Sequence, residues 1–254
     1  QTMKPIILAL LLLLVGQSAL CSTLVKVGGY MFPPFIETSS GTPKGLTIDL
    51  IKLLNESQSE FEFKFVLTSP KRRYHDFKRN AVDAMFFESK QWGWQGYPIS
   101  ASDVFLKGGE VYITKDDNKK DQSYFKKLTD KKLVGILGYH YQFAKFESDE
   151  HILKQQFDIQ LVNHPNTIIN QVLSEQADIG IVTRSFLAKA ESDQPTYKNS
   201  ILVSSKLDQI YTHTILVRDH FPLSLKKINT LLKKVSKEGS LDRLLLKYGL
   251  DRNL

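Results

Sequence analysis

VKVGGYMFPPFIETSSGTPKGLTIDLIKLL, residues 25–54, is the stretch of sequence that decides the fold. Val25 and Val27 mark a short buried strand, and a loop carrying Tyr30 and Phe32 follows it. After a polar turn, apolar residues recur at helical spacing and predict a helix with Thr47 as its N-cap. Strand, loop and helix in this order begin an α/β unit. Ligands of open α/β sheets bind at the carboxyl ends of the strands, so we expect function first in this loop.

The rest of the first half continues the α/β pattern. Phenylalanines alternate with other residues over 61–67, which predicts a strand that ends at a Thr-Ser-Pro turn, and a short helix is expected over 74–79. Residues 82–87 predict a second buried strand. Residues 88–102 hold both tryptophans without any periodicity, which indicates a loop rich in aromatic residues.

The second half repeats this order, with strands predicted over 133–137, 159–162 and 178–182 and a helix start at 142–146. A charged connection over 115–121 leads into this half, and strands over 201–203 and 211–217 lead back. Two C-terminal helices follow, one starting near Pro222 and one capped by Ser240. We therefore predict an α/β protein of two lobes joined by two crossover strands, with a ligand cleft between the lobes. Lobe 1 comprises residues 22–112 and 206–254, and lobe 2 comprises residues 113–205.

The first residues predict export from the cytoplasm. Lys4 precedes an apolar run over 6–15 and a small-residue end at Ala19-Leu20-Cys21, which is typical of a secretory signal peptide spanning residues 1–21. Cleavage after Cys21 would place the protein in the periplasm. Lipid attachment to Cys21 is the rival interpretation, and bulky Leu20 disfavours it. Since Cys21 is the only cysteine, the exported chain depends on its apolar core rather than on disulfides.

The charge pattern bears on partners. The net charge is +7, but the basic residues are dispersed, and the densest run, residues 71–73, lies in no nucleic-acid motif. We expect no nucleic-acid partner; the positive balance is expected to aid solubility or a weak attraction to anionic surfaces and solutes. The histidines lack the spacing of a metal site, so neither a metal nor a cofactor is expected. We expect a monomer.

Several motifs resemble those of the bacterial extracytoplasmic solute-binding proteins, family 3, the polar amino-acid uptake class. They are, in family order, residues 32–35 (FPPF), 45–50 (GLTIDL), 83–84 (DA), 134–135 (VG), 177–178 (AD), 237–241 (KEGSL) and 247–249 (KYG). The resemblance implies a type II-like periplasmic-binding-protein fold, whose cleft closes on a small solute for delivery to an ABC-type membrane permease. Members of the family also serve as sensor domains, and a few have become enzymes.

The chain departs from this family at two charged positions. The arginine that holds a ligand α-carboxylate in amino-acid binders aligns, counted from Asp83, with Gln95. The aspartate that receives the α-ammonium aligns with Thr183. An ordinary α-amino acid held in the ordinary way is therefore disfavoured. We expect a small polar solute that is amino-acid-like or bears a carboxylate.

Candidate ligand contacts in lobe 1 follow its predicted strands. Tyr30 and Phe32 would form a stacking wall, or else pack the hinge side of the lobe. Trp92 and Trp94 would cover a ligand or a cation by ring-face contact, or else form a surface or docking loop. Three further candidates lie near these strand ends. Glu88 would supply a counter-charge, Phe87 precedes it, and Arg73 would hold a carboxylate in two-point fashion or else be solvated.

In lobe 2, Tyr139 and His140 match the family loop that holds the acidic end of the ligand, and an adjoining helix N-terminus would favour an anion there. His140 could instead be solvated or pH-sensitive. Thr183 and Arg184 end the last strand of this lobe and are expected to face the cleft, with Arg184 as its best cation.

Three functions compete at this stage. The first is a binding protein for a permease, and the second is an accessory sensor that presents its ligand to a membrane receptor. The third is a dehydratase-like enzyme in which Glu88 and His140 act as acid and base. The absence of a nucleophile–base motif favours a binding protein that is not an enzyme.

Overall fold

The structure is a computed structural model that describes residues 22–39 and 41–250. The predicted signal peptide and the lipidation alternative at Cys21 concern residues outside this range. Eleven strands are described: β1 (Thr23–Gly29), β2 (Glu37–Ser39), β3 (Thr42–Lys44), β4 (Phe61–Leu67), β5 (Ala84–Glu88), β6 (Ile99–Ala101), β7 (Leu106–Lys115), β8 (Leu133–Ile136), β9 (Ile159–Val162), β10 (Ile179–Thr183) and β11 (Ile201–Arg218).

Seven α-helices and three short 3₁₀ turns connect these strands in the described part of the chain. The helices are α1 (Leu46–Ser57), α2 (Arg73–Lys78), α3 (Glu150–Gln156), α4 (Pro165–Leu173), α5 (Arg184–Asp193), α6 (Leu225–Lys237) and α7 (Ser240–Lys247). None of them is both long and apolar enough to cross a membrane.

The larger sheet has the strand order β4-β1-β5-β11-β7-β10-β8-β9, with β6 paired to β11. At one end β1 runs parallel to β4 and β5, and at the other β8 runs parallel to β9 and β10. We call the end with β1, β4 and β5 lobe one and the end with β8, β9 and β10 lobe two. The long strands β7 and β11 pair antiparallel with each other and join the lobes. Each lobe therefore presents the carboxyl ends of its parallel strands as one edge.

Several predicted elements differ in detail from the structure. Thr47 is not the N-cap of α1, because Gly45 holds that position with a φ of 124°. A Cβ there would come within 2.6 Å of the Phe35 carbonyl oxygen, so the close approach requires glycine. The return segment is one bulged strand, β11, rather than two. The helix expected over 142–146 is only the 3₁₀ turn Gln142–Ala144, because Lys145 and Phe146 take positive φ and end it.

The apolar core divides with the sheet. A large cluster in lobe one packs α1, α6 and α7 against its strands, and it contains Trp94, which is fully buried. Two smaller clusters cover the two faces of the sheet in lobe two. The two lobes therefore have separate cores, and a site can form where the lobes meet.

Candidate functional site

Loops at the carboxyl ends of the parallel strands bring most of the predicted residues together. Tyr30 follows β1, Glu88 ends β5, and Arg73 begins α2 after β4. From lobe two, Tyr139 and His140 follow β8. These side chains are buried or nearly so, because each lobe covers the strand ends of the other.

A buried ion pair lies at the centre of the lobe-one wall. The Arg73 Nη2 is 3.3 Å from the Glu88 Oε1, and both side chains are 1% exposed. The Glu88 carboxylate also accepts hydrogen bonds from the Trp94 indole at 3.0 Å and from the Tyr30 hydroxyl at 3.1 Å. Burial raises the pKa of Glu88, and the adjacent guanidinium opposes that rise. Both carboxylate oxygens are thus satisfied within lobe one.

Arg73 has a buried nitrogen without a partner. Its Nη1 donates to the Pro70 carbonyl and its Nη2 to the Trp92 carbonyl, while its guanidinium lies 4.5 Å and 4.8 Å from the ring centroids of Tyr74 and Tyr30. The buried Nε–H has no hydrogen-bond partner among the described residues. This N–H is therefore available to an acceptor such as a ligand carboxylate.

Tyr139 is the main contact of lobe two with lobe one. Its hydroxyl donates to the Met31 carbonyl at 3.0 Å, and its ring packs edge-on against Phe32 and Tyr30 with centroids 5.6 Å and 6.3 Å away. The lobes therefore meet through an aromatic contact, and a solute that binds between them must lie against these rings.

His140 is buried beside this contact. Its Nε2 lies 3.5 Å from the Tyr74 hydroxyl, and its Nδ1 has no partner among the described residues. Burial and the neighbouring Arg73 lower the pKa of His140 to about 3, so the ring is neutral at pH 7. Gly93 has a φ of 75°, and a Cβ there would come within 2.7 Å of the Tyr74 hydroxyl. The loop over residues 88–102, which holds both tryptophans, approaches the rings of Tyr74 and His140 this closely only because residue 93 is glycine.

Side chains on the two joining strands complete the site. The Gln209 Nε2 donates to the Glu110 carboxyl at 2.7 Å and to the His140 carbonyl, and its Oε1 accepts from the Trp92 indole at 3.2 Å. Tyr211 also hydrogen-bonds Glu110. Burial and then the neighbouring Asp208 raise the pKa of Glu110 to about 8, so this carboxyl is mainly protonated at pH 7.

Two small cavities lie between the lobes, and Phe32 and Tyr139 line both of them. The first is lined also by Tyr30, Arg73, Trp92, Gly138, His140 and Tyr211. The second includes Glu110 and Thr183 in its lining. Both are narrow, with room for little more than a water molecule at any point. A larger solute therefore requires the lobes to part.

The remaining predicted residues have other surroundings. Trp94 packs inside lobe one against Tyr74, with ring centroids 4.9 Å apart, and lines neither cavity. Phe87 is likewise in the lobe-one core. Thr183 lines the second cavity and also caps α5 by accepting from the Phe186 N–H, whereas Arg184 is exposed and lines two other grooves. The described residues contain no group of three or more His, Cys, Asp or Glu side chains placed to hold a metal ion.

Sequence reasoning missed three residues of the site: Glu110, Gln209 and Tyr211. They lie on β7 and β11, the strands that join the lobes. Glu110 nevertheless carried a signal, because a single acid begins the apolar run EVYI there. An acid in a strand buried on both faces is costly unless it has a role.

Comparison with known proteins identifies the class. The family model for bacterial extracellular solute-binding proteins, family 3, matches residues 25–251, and the chain belongs to this family. Compared with the curated proteins, the sequence matches none.

Solved structures with the same two-lobed fold include an ancestral arginine-binding protein bound to arginine (18% identity, TM-score 0.66, 89% of this chain and 97% of that one). The ancestral amino acid-binding protein AncCDT-1, a precursor of cyclohexadienyl dehydratase, is similar at 20% identity (TM-score 0.67, 89% and 95%). The GluR0 ligand-binding core from Nostoc punctiforme in complex with L-glutamate is similar at 16% identity (TM-score 0.68, 88% and 98%). At these identities the likeness shows the fold alone. The family establishes a solute-binding role, and the type II fold predicted from sequence is confirmed.

Proposed function

We propose that the protein captures a small amino-acid-like or carboxylate-bearing solute between its lobes and presents it to an ABC-type permease. One observation carries this proposal: Arg73 and His140, from opposite lobes, line the same cavity, and each has a buried nitrogen, the Arg73 Nε and the His140 Nδ1, with no partner among the described residues. Buried polar groups normally have partners, so an orphan from each lobe is expected where a ligand supplies the missing bonds. A carboxylate oxygen is a suitable acceptor for the arginine N–H.

The surrounding side chains suit a solute that is enclosed on binding. Phe32, Trp92, Tyr139 and Tyr211 wall the first cavity with ring surface, and little of the cavity is open to water. A solute would enter when the lobes separate and would displace the Tyr139 contact. A ligand shifts a conformational equilibrium only by its differential affinity for the two states. A solute that binds the closed form more tightly than the open form should therefore favour closure.

Binding rather than catalysis is supported by the state of the proposed acid and base. Glu88 is engaged by Arg73 and by two hydrogen bonds, all within lobe one, and burial together with Arg73 lowers the pKa of His140 to about 3. General acid–base catalysis favours a group that titrates near neutral pH, and His140 does not. The family match supports a periplasmic location. Residues 1–21 as signal peptide, residues 22–112 and 206–254 as lobe 1 and residues 113–205 as lobe 2 complete the proposal. A monomer remains the expectation.

The test is solute binding measured by calorimetry, with compaction followed by small-angle scattering. Arg73→Lys removes the Nε–H and keeps a positive charge, so it should weaken binding of a carboxylate solute about tenfold. Arg72→Lys is the matched control, because Arg72 is an exposed neighbour paired with Asp76. The proposal fails if no solute binds in a broad metabolite screen. Co-purification with a receptor rather than a permease would assign the accessory sensor role.

A further inference from the structure

The two interlobe cavities differ in charge although they share two aromatic residues. Phe32 and Tyr139 line both. Arg73 and His140, each with a buried nitrogen that has no partner among the described residues, line the first cavity, whereas Glu110 lines the second. Residues with free donors and a buried acid therefore line adjacent cavities.

Glu110 is a buried acid without a partner of opposite charge. It is 1% exposed, and its hydrogen bonds come from Gln209 and Tyr211, both of which a glutamine at position 110 could also engage. No cation is among the groups that influence its ionisation, and the neighbouring Asp208 is a second acid. A buried carboxyl without a cation is costly to ionise, so these hydrogen bonds do not explain why an acid stands here.

The position of Glu110 in the sheet relates it to the cleft. Glu110 on β7 pairs directly with Thr183 on β10, and directly opposite residues of antiparallel strands point to the same face. Both residues line the second cavity. Glu110 therefore lies beside the lobe-two position where the sequence resemblance implied an acid and where this chain has threonine.

The rings beside Glu110 favour the same kind of ligand. Phe32 and Tyr139 contribute apolar ring surface to the wall that contains this carboxyl. Aromatic faces attract cations, and a carboxylate at the end of such a wall supplies the counter-charge.

We propose that Glu110 is a ligand-binding residue that receives a positively charged amine of the solute. This inference rests on the proposed function and deepens it, because it names a solute with an amine at one end and a carboxylate at the other. The amine would lie against Glu110, the carboxylate would reach the Arg73 end, and the solute would pass the rings of Phe32 and Tyr139.

The proposal has a pH signature. Burial and Asp208 raise the pKa of Glu110 to about 8, so binding an ammonium group requires this carboxyl to lose its proton. The other groups that face it are Tyr112 on its own strand β7, Gln209 and Tyr211 on β11, and Tyr139 and Tyr141 from lobe two. The tyrosines have raised pKa values and stay neutral. Affinity for an amine should therefore rise by up to about tenfold per pH unit as pH approaches 8.

The experiment compares four probes on the exported chain by calorimetry and thermal shift: L-lysine, 6-aminohexanoate, L-norleucine and hexanoate. They carry both amines, only the distal amine, only the α-amine, and no amine. We expect one or more amine-bearing probes to bind and hexanoate to bind at least about tenfold more weakly. Glu110→Gln should abolish this preference. Asp208→Asn is the control, since it removes the other buried acid, which lines neither interlobe cavity, and it should keep the preference.

The possible outcomes separate the two proposals. Equal binding of hexanoate and the amine probes, or amine binding that Glu110→Gln leaves unchanged, overturns the role of Glu110 and leaves solute capture intact. Binding confined to solutes without an amine in a wider screen has the same meaning. If neither the probes nor the wider screen yields any binder, and native mass spectrometry finds no carried solute, solute capture fails and this inference fails with it.

Discussion

Glu88 and Glu110 are equally buried carboxyls in opposite electrostatic situations. Each is 1% exposed, but Glu88 faces Arg73 at 3.3 Å, whereas Glu110 faces a second acid. Removal of Arg73 would leave the Glu88 charge buried without a partner. Glu110, which has no partner of opposite charge, is mainly protonated instead. The comparison shows that burial does not by itself identify a functional acid. The acid whose charge is unmatched is the better candidate.

The largest expected effect comes from breaking the ion pair between Arg73 and Glu88. Arg73→Met leaves Glu88 as an uncompensated buried charge and should lower the free energy of unfolding by about 3–5 kcal/mol. Adding Glu88→Gln should recover most of that loss, since glutamine can still accept from the Trp94 indole. Urea unfolding of the two variants measures this. A double variant as unstable as Arg73→Met would show that the arginine acts through packing rather than charge.

The next effect concerns Glu110 and has the opposite sign, because the substitution is expected to raise the free energy of unfolding. The folded-state pKa of about 8 lies above the ordinary carboxyl value of 4.5, so Glu110 increasingly destabilises the fold as pH rises between these values. Glu110→Gln should therefore stabilise the protein, by about 3 kcal/mol at pH 7 and by almost nothing below pH 4.5. Unfolding curves at several pH values test this. A destabilised Glu110→Gln protein would mean that the carboxyl is structural.

The smallest effect sharpens the comparison at one hydrogen bond. Tyr30→Phe removes the donor to the Glu88 Oε2 and keeps the ring beside Arg73. We expect a loss of about 1–2 kcal/mol in unfolding free energy, because the acceptor is charged. Tyr139→Phe is a useful counterpart, since its hydroxyl donates to a neutral carbonyl and should contribute less. Equal losses from the two variants would contradict the assignment of a buried charge to Glu88.

The sequence allowed the cleft to be located but not its polarity. Alternating phenylalanines and apolar runs predicted the strands, and parallel strands bring Tyr30, Arg73 and His140 to facing edges once the order is known. The direction of a side chain within a loop or first helical turn was not predictable. Trp94, for example, packs in the lobe-one core, and Arg184 is exposed. Glu110, Gln209 and Tyr211 were missed because their importance depends on which strands join the lobes, and this is a property of the whole sheet.

The bond between the Trp92 indole and Gln209 has a spectroscopic consequence. Gln209 also bonds to the lobe-two residue His140, so the environment of Trp92 depends on whether the lobes are together. Trp94 bonds to Glu88 entirely within lobe one and should be insensitive to that motion. The chain thus contains a paired optical reporter, in which the fluorescence of a Trp94→Phe protein would follow lobe separation and that of a Trp92→Phe protein would supply the baseline.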